Sequence, residues 1–178
     1  MWTPRTDVGR QVKQELRGSF EQVIDEIQES CEPGIASLTR GGLMLAYRNE
    51  GGIDSALHVL LHLKSPESYN TCGADYRSRA ATAFFATLMP VAVILSSHPE
   101  IFEHERISGA AIALDWSTAL FVLGPVRPRF QTERMTAWIP EHALFDFAEL
   151  RCSIHELAEQ TVFVSSEGPI ELEFGQGR

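Results

Sequence analysis

Residues 42–64, GLMLAYRNEGGIDSALHVLLHLK, decide the fold. GLMLAYR and SALHVLLHLK are two strand-length runs separated by the turn-like NEGG, the pattern of a β-hairpin. In the second run Leu57, Val59, Leu61 and Leu63 alternate with Ala56, His58, Leu60, His62 and Lys64. That period of two sends the aliphatic set to one side and both imidazoles to the wetter side. A hairpin with one apolar face needs something to cover it, and the flanking sequence supplies helices.

Upstream, Val12, Leu16, Phe20, Val23, Ile24 and Ile27 recur at helical intervals among charged residues, which predicts an amphipathic helix over 7–30. Glu32-Pro33-Gly34 stops it, because proline removes a donor and glycine permits reversal. Downstream, SPESYNTCG reads as a loop, and Asp75 as the cap of an apolar helix over 75–96 that Pro90 kinks or ends. Ile112, Leu114 and Trp116 alternate with small residues, predicting a strand near 107–116. GPVRPRFQ then reads as a loop, ERMTAWI as a strand and Pro140 as the opening of a helix. Ser153 and Glu156 match a capping box, and TVFVSS and PIELEF are two short strands around Glu167-Gly168.

The order α-ββ-α-ββ-αα-ββ predicts an α+β fold: a mainly antiparallel sheet of about six strands in pairs, covered by helices. Length predicts one domain over 1–178, with helix 7–30, hairpin 42–64, central apolar helix 75–96 and C-terminal strands and helices over 107–174. Fifteen Lys and Arg against 24 Asp and Glu leave a net charge of −9, which repels phosphate backbones and argues against a nucleic-acid partner. Cys31, Cys72 and Cys152 are odd in number and widely spaced, so three cytoplasmic thiols are expected rather than a disulfide framework. The start resembles no secretory signal. Ala80 to Leu95 spans about 24 Å as a helix, short of a bilayer core of roughly 30 Å, so membrane contact by residues 80–124 is disfavoured.

The chemistry-bearing residues are few. His58 and His62 sit two alternations apart, about 13 Å at Cα on a strand, too far to share one metal, and there is no HExxH. No metal and no cofactor is therefore expected. Cys152 and His155 match a nucleophile and base by type, but the capping segment already explains them. Gly41-Gly42 and Gly51-Gly52 fit no phosphate-binding pattern and read as turn residues. Arg127, Arg129 and Arg134 surround Phe130 and could take a carboxylate or phosphate through planar donor pairs. Asp115 is an acid inside an apolar run.

These residues predict a non-enzymatic intracellular interaction or assembly domain, a complex subunit or homo-oligomer. It would bind a protein partner or itself through a sheet face or edge and the first helix. An apolar surplus of Phe84, Phe85, Phe121, Phe130, Trp138, Phe145 and Phe147 supports it. The competing expectation is a small enzyme or ligand-binding protein using the His58 and His62 face with Asp115, or the Arg127, Arg129 and Arg134 cluster. A third is a membrane-associated subunit.

Overall fold

The computed structural model describes residues 6–31, 34–48, 57–71, 73–120 and 129–172. The first amphipathic stretch forms two helices, α1 (Asp7–Glu15) and α2 (Arg17–Cys31), rather than one. Leu16 leaves helical geometry between them. Thr6 caps α1 by accepting a hydrogen bond from the Gly9 amide. Val12, Phe20, Val23 and Ile27 turn inward, so the apolar stripe of this region is consumed by the core.

The hairpin follows as β1 (Ser37–Tyr47) and β2 (Leu57–Asn70), antiparallel, with Leu43 opposite Leu61 and Leu45 opposite Val59. The NEGG turn lies outside the described residues, as do Glu32, Pro33 and Cys72. Gly41-Gly42 is a strand irregularity, not a turn: the register slips between Leu38 and Leu43. A Cβ on Gly42 would lie 2.7 Å from Leu38 and 2.8 Å from the Thr39 carbonyl oxygen, so only glycine fits this bulge. Residues 65–70, expected as loop, extend β2 beyond a second slip between Lys64 and Ser68 that accommodates Pro66.

Asp75 caps α3 (Tyr76–Ser96) by accepting from the Ser78 amide. Pro90 does not end this helix. Its ring cannot donate to the Ala86 carbonyl, but Ala86 is exposed, so the lost bond falls on the outer side. The short α4 (Pro99–Phe102) leads into β3 (Ile107–Leu120). β3 and β4 (Arg129–Pro140) pair antiparallel without a slip, so Arg129 to Gln131 belong to a strand and not to the expected loop. α5 (Glu141–Ala148), α6 (Ile154–Gln160), β5 (Val162–Ser165) and β6 (Gly168–Ile170) complete the chain. Both halves of the Ser153–Glu156 capping box form.

The protein is α+β, and the sheet is mixed, in the order β1-β2-β3-β4-β5-β6 among the described residues. Neighbours pair antiparallel except β2 and β3, which run parallel. The expected pairs β1–β2, β3–β4 and β5–β6 are antiparallel, and the sheet is mixed only because of the β2–β3 junction, for which the reason is the connection. α3 and α4 carry the chain back along the sheet, so β3 starts from the same end as β2.

Alternation then divides the sheet into two unlike faces. Val59, Leu61 and Leu63, Ala110, Ile112 and Leu114, and Met135, Ala137 and Ile139 are buried in the core that the helices share. α2 lies over β1, α3 over β2 and β3, α5 over β3 and β4, and α6 over β4. The opposite face carries His58, Leu60, His62, Ala111, Ala113, Asp115, Arg134, Thr136 and Trp138, with none of the described helices packed on it.

Candidate functional site

Two surfaces draw attention, one polar and one apolar. The polar one lies on the helix-free sheet face and depends on a lane of small residues in β3. Gly109, Ala111 and Ala113 leave room for side chains of β2 and β4 to meet above the strand between them. His58 meets Trp138 edge to face, with ring centroids 5.2 Å apart. One step further along, His62 Nε2 lies 3.0 Å from Asp115 Oδ2. Arg134 closes the group, donating to Asp115 through Nε at 2.5 Å and Nη2 at 2.9 Å.

Arg134 Nη2 also lies 3.1 Å from His62 Nε2. That ring nitrogen fills one role at a time: protonated it donates to Asp115, unprotonated it accepts from Arg134. The charged carboxylate favours the first arrangement. Burial alone would raise the Asp115 pKa, but the hydrogen bonds from Arg134 and His62 outweigh it and hold the carboxyl below its ordinary value. Asp115 is 12% exposed and Arg134 57%, so the pair has one foot in the sheet and one in solvent.

The structure thus brings His62, Asp115 and Arg134 together and leaves the other candidates apart. His58, expected on the wetter face, is buried against Trp138. Arg129 is exposed opposite Leu120, on the other face of β4 from Arg134. Arg127 lies outside the described residues, as does Phe121. An imidazole held by a carboxylate is the skeleton of a general base. Among the described residues, however, no Ser or Cys side chain is hydrogen-bonded to His62, and no group of three or more His, Cys, Asp or Glu could hold a metal. Cys152 is no activated nucleophile either, since burial and the nearby Asp146 and Glu156 push its thiol up.

A second arginine–carboxylate pair sits on the helix-covered side, and sequence reading missed it. Arg79 of α3 donates to Glu133 through Nε at 2.9 Å and Nη2 at 2.5 Å. Trp116 Nε1 at 2.7 Å and the Thr118 hydroxyl at 2.9 Å donate to the same carboxylate. Burial would raise the Glu133 pKa, but these donors win and lower it. Nearby, the Tyr76 phenol donates to the Arg134 carbonyl at 2.6 Å, and burial pushes its pKa up to about 12. Tyr76 and Glu133 help line an open groove of about 860 Å³ with Asp75, Arg77, Ser165 and Glu167. Its Glu133 carboxylate and Tyr76 phenol are already engaged within the fold.

The apolar surface is the outer side of α3. Phe85 is 59% exposed, Met89 36% and Val93 48%. Their spacing of four puts them in one stripe along the helix. These are three of the six exposed large hydrophobic side chains among the described residues. Between Arg79 and Glu100 the chain has no Asp, Glu, Lys or Arg, so Thr82, Ala86 and Ser96 extend the stripe without charge. Sequence reading took this segment as a buried helix because it is apolar all round. The other surplus aromatics fare differently: Phe84 and Phe147 are buried, Phe145 packs on Phe102, and Phe130 stands alone on β4. α3 is also the one described helix long and apolar enough to cross a membrane, although 61% of its most apolar window is buried inside the protein. No protein-family model, no curated protein and no solved structure matches the chain.

Proposed function

We propose that this chain is a non-enzymatic protein-interaction or assembly domain of the cytoplasm, and that the outer stripe of α3 is its contact surface. The observation that carries this is the exposure of Phe85, Met89 and Val93 in register on one helix face. Full burial of such a side chain is worth about 1.5–3 kcal/mol. Three partly exposed ones can hold a partner while contributing little to this fold. Contiguous apolar surface of this kind marks interaction sites more often than scattered single residues do. The first helical region, expected to share the contact, has its apolar side in the core, so the surface moves to α3.

The polar cluster supports a weaker second reading, a small-ligand site. His62, Asp115 and Arg134 converge, but Asp115 already takes two of the guanidinium's donors.

The test is hydrodynamic. In an extract of the cells that make it, the wild-type chain should elute well above the position of the purified 19.8 kDa monomer. The variant Phe85→Ser/Met89→Ser/Val93→Thr, shown to be folded by circular dichroism, should elute as the monomer. Identical elution of both proteins would refute the reading.

A further inference from the structure

The class of partner can be read from what borders the stripe, an inference that rests on the interaction reading above. α3 lies between α2 and α5 in the helical layer. α2 carries Arg17 against Glu21, Asp25, Glu26 and Glu29, and α5 carries Glu141 and Asp146 with no Lys or Arg. Asp25 and Glu29 are exposed, whereas Glu26 is engaged by His98 at 3.0 Å and Glu21 by Arg17 at 2.9 Å. Arg151 offsets Asp146 and Glu149 beyond the end of α5. The result is an uncharged strip along α3 from Ala80 to Ser96, about 25 Å long at 1.5 Å per residue, flanked by α2 with the exposed Asp25 and Glu29 and by α5 with Glu141.

We propose that this surface takes one amphipathic helix of another protein, apolar along one face and rich in Lys and Arg on its flanks. Phe85, Met89 and Val93, at i, i+4 and i+8 of α3, form a ridge along which the apolar face of a second helix can pack. Long basic side chains can cover apolar surface with their stems while their heads reach the acidic border. Pro90 adds a polar feature in the middle of the strip. It removes the amide that would otherwise donate to the carbonyl of Ala86, a residue exposed on this side.

The same charges disfavour the other occupants. A second copy laid stripe to stripe brings acidic borders together, each copy carrying a net charge of −9. An anionic bilayer surface repels that border as well.

The experiment uses the full chain and three fluorescein-labelled helical peptides of about 18 residues: one with a Leu/Phe face and Lys/Arg flanks, the same face with Glu flanks, and the basic peptide with its apolar positions scrambled. Fluorescence anisotropy should show the first binding at least about tenfold more tightly than either of the others, a margin of about 1.4 kcal/mol. Its affinity should weaken as salt is raised. Asp25→Asn/Glu29→Gln/Glu141→Gln should weaken the basic peptide several-fold with the fold intact, and Phe85→Ser/Met89→Ser/Val93→Thr should abolish binding. Equal affinity for the basic and acidic peptides overturns the proposal. So does a dimer by light scattering that the stripe variant dissolves, or flotation with phosphatidylcholine–phosphatidylserine vesicles that the stripe variant loses. If no peptide binds while the extract shift persists, this inference fails and the interaction reading stands. If the extract shift is absent too, both fail.

Discussion

The two sides of α3 have nearly the same composition and opposite fates. Phe84, Leu88, Val91 and Leu95 are fully buried against the sheet and the neighbouring helices, while Phe85, Met89 and Val93 face outward. Phe84 packs edge to face on Phe163, ring centroids 5.2 Å apart, so it is fixed by β5 at the far end of the chain. Phe85, one residue on, is among the exposed side chains. An apolar residue stabilises a fold only where other elements remove it from water. The inner face belongs to folding and the outer face is left for association.

The largest effect that could break this contrast is Phe84→Ala, expected to cost about 3–5 kcal/mol through lost transfer energy and the cavity left behind. Urea unfolding measures it, and a cost below 1 kcal/mol would mean that the inner face is not core.

The two arginine–carboxylate pairs repeat the contrast in polar form. Glu133→Ala leaves Arg79, Trp116 Nε1 and Thr118 without their acceptor beneath α3, and should cost about 3–5 kcal/mol. Asp115→Ala should cost less, about 1–2 kcal/mol, because Arg134 can turn to water. Equal losses in the same urea experiment would show that helix cover does not separate the two sites.

Both carboxyls have folded-state pKa values below their unfolded ones. Their contribution is therefore complete above the unfolded carboxyl range, about pH 4, and is lost as pH falls through the lowered values. Wild-type stability should drop on acidification below about pH 4. Glu133→Gln, less stable at neutral pH, should show a shallower drop, and parallel curves would remove Glu133 from the acid response.

The smallest effect sharpens the contrast most. Phe85→Ala is expected within about 0.5 kcal/mol of wild type, although it deletes the same atoms as Phe84→Ala.

Much of this architecture was legible. The alternation of Leu57 to Leu63 named the inward face of β2, Asp75 announced the start of α3, and Ser153 with Glu156 announced α6. Period two reports which face a residue takes but not which strand lies beside it, so the parallel pairing of β2 with β3 was hidden. The same limit hid the polar cluster. His62, Asp115 and Arg134 were each conspicuous, yet only the register of Asp115 opposite both Lys64 and Arg134 joins them. His58 was misread because its cover comes from Trp138, two strands away across β3. The stripe on α3 was obscured by its own composition, since a helix apolar on every side gives no moment to point outward.

The most direct measurement places a photo-cross-linking amino acid at Met89 in one protein and at Lys64, on the helix-free sheet face, in another, and irradiates cells making each. The expected result is a discrete covalent adduct to a second protein from position 89 and none from position 64. An adduct from position 64 alone would move the contact to the His62–Asp115–Arg134 face and contradict the assignment of α3.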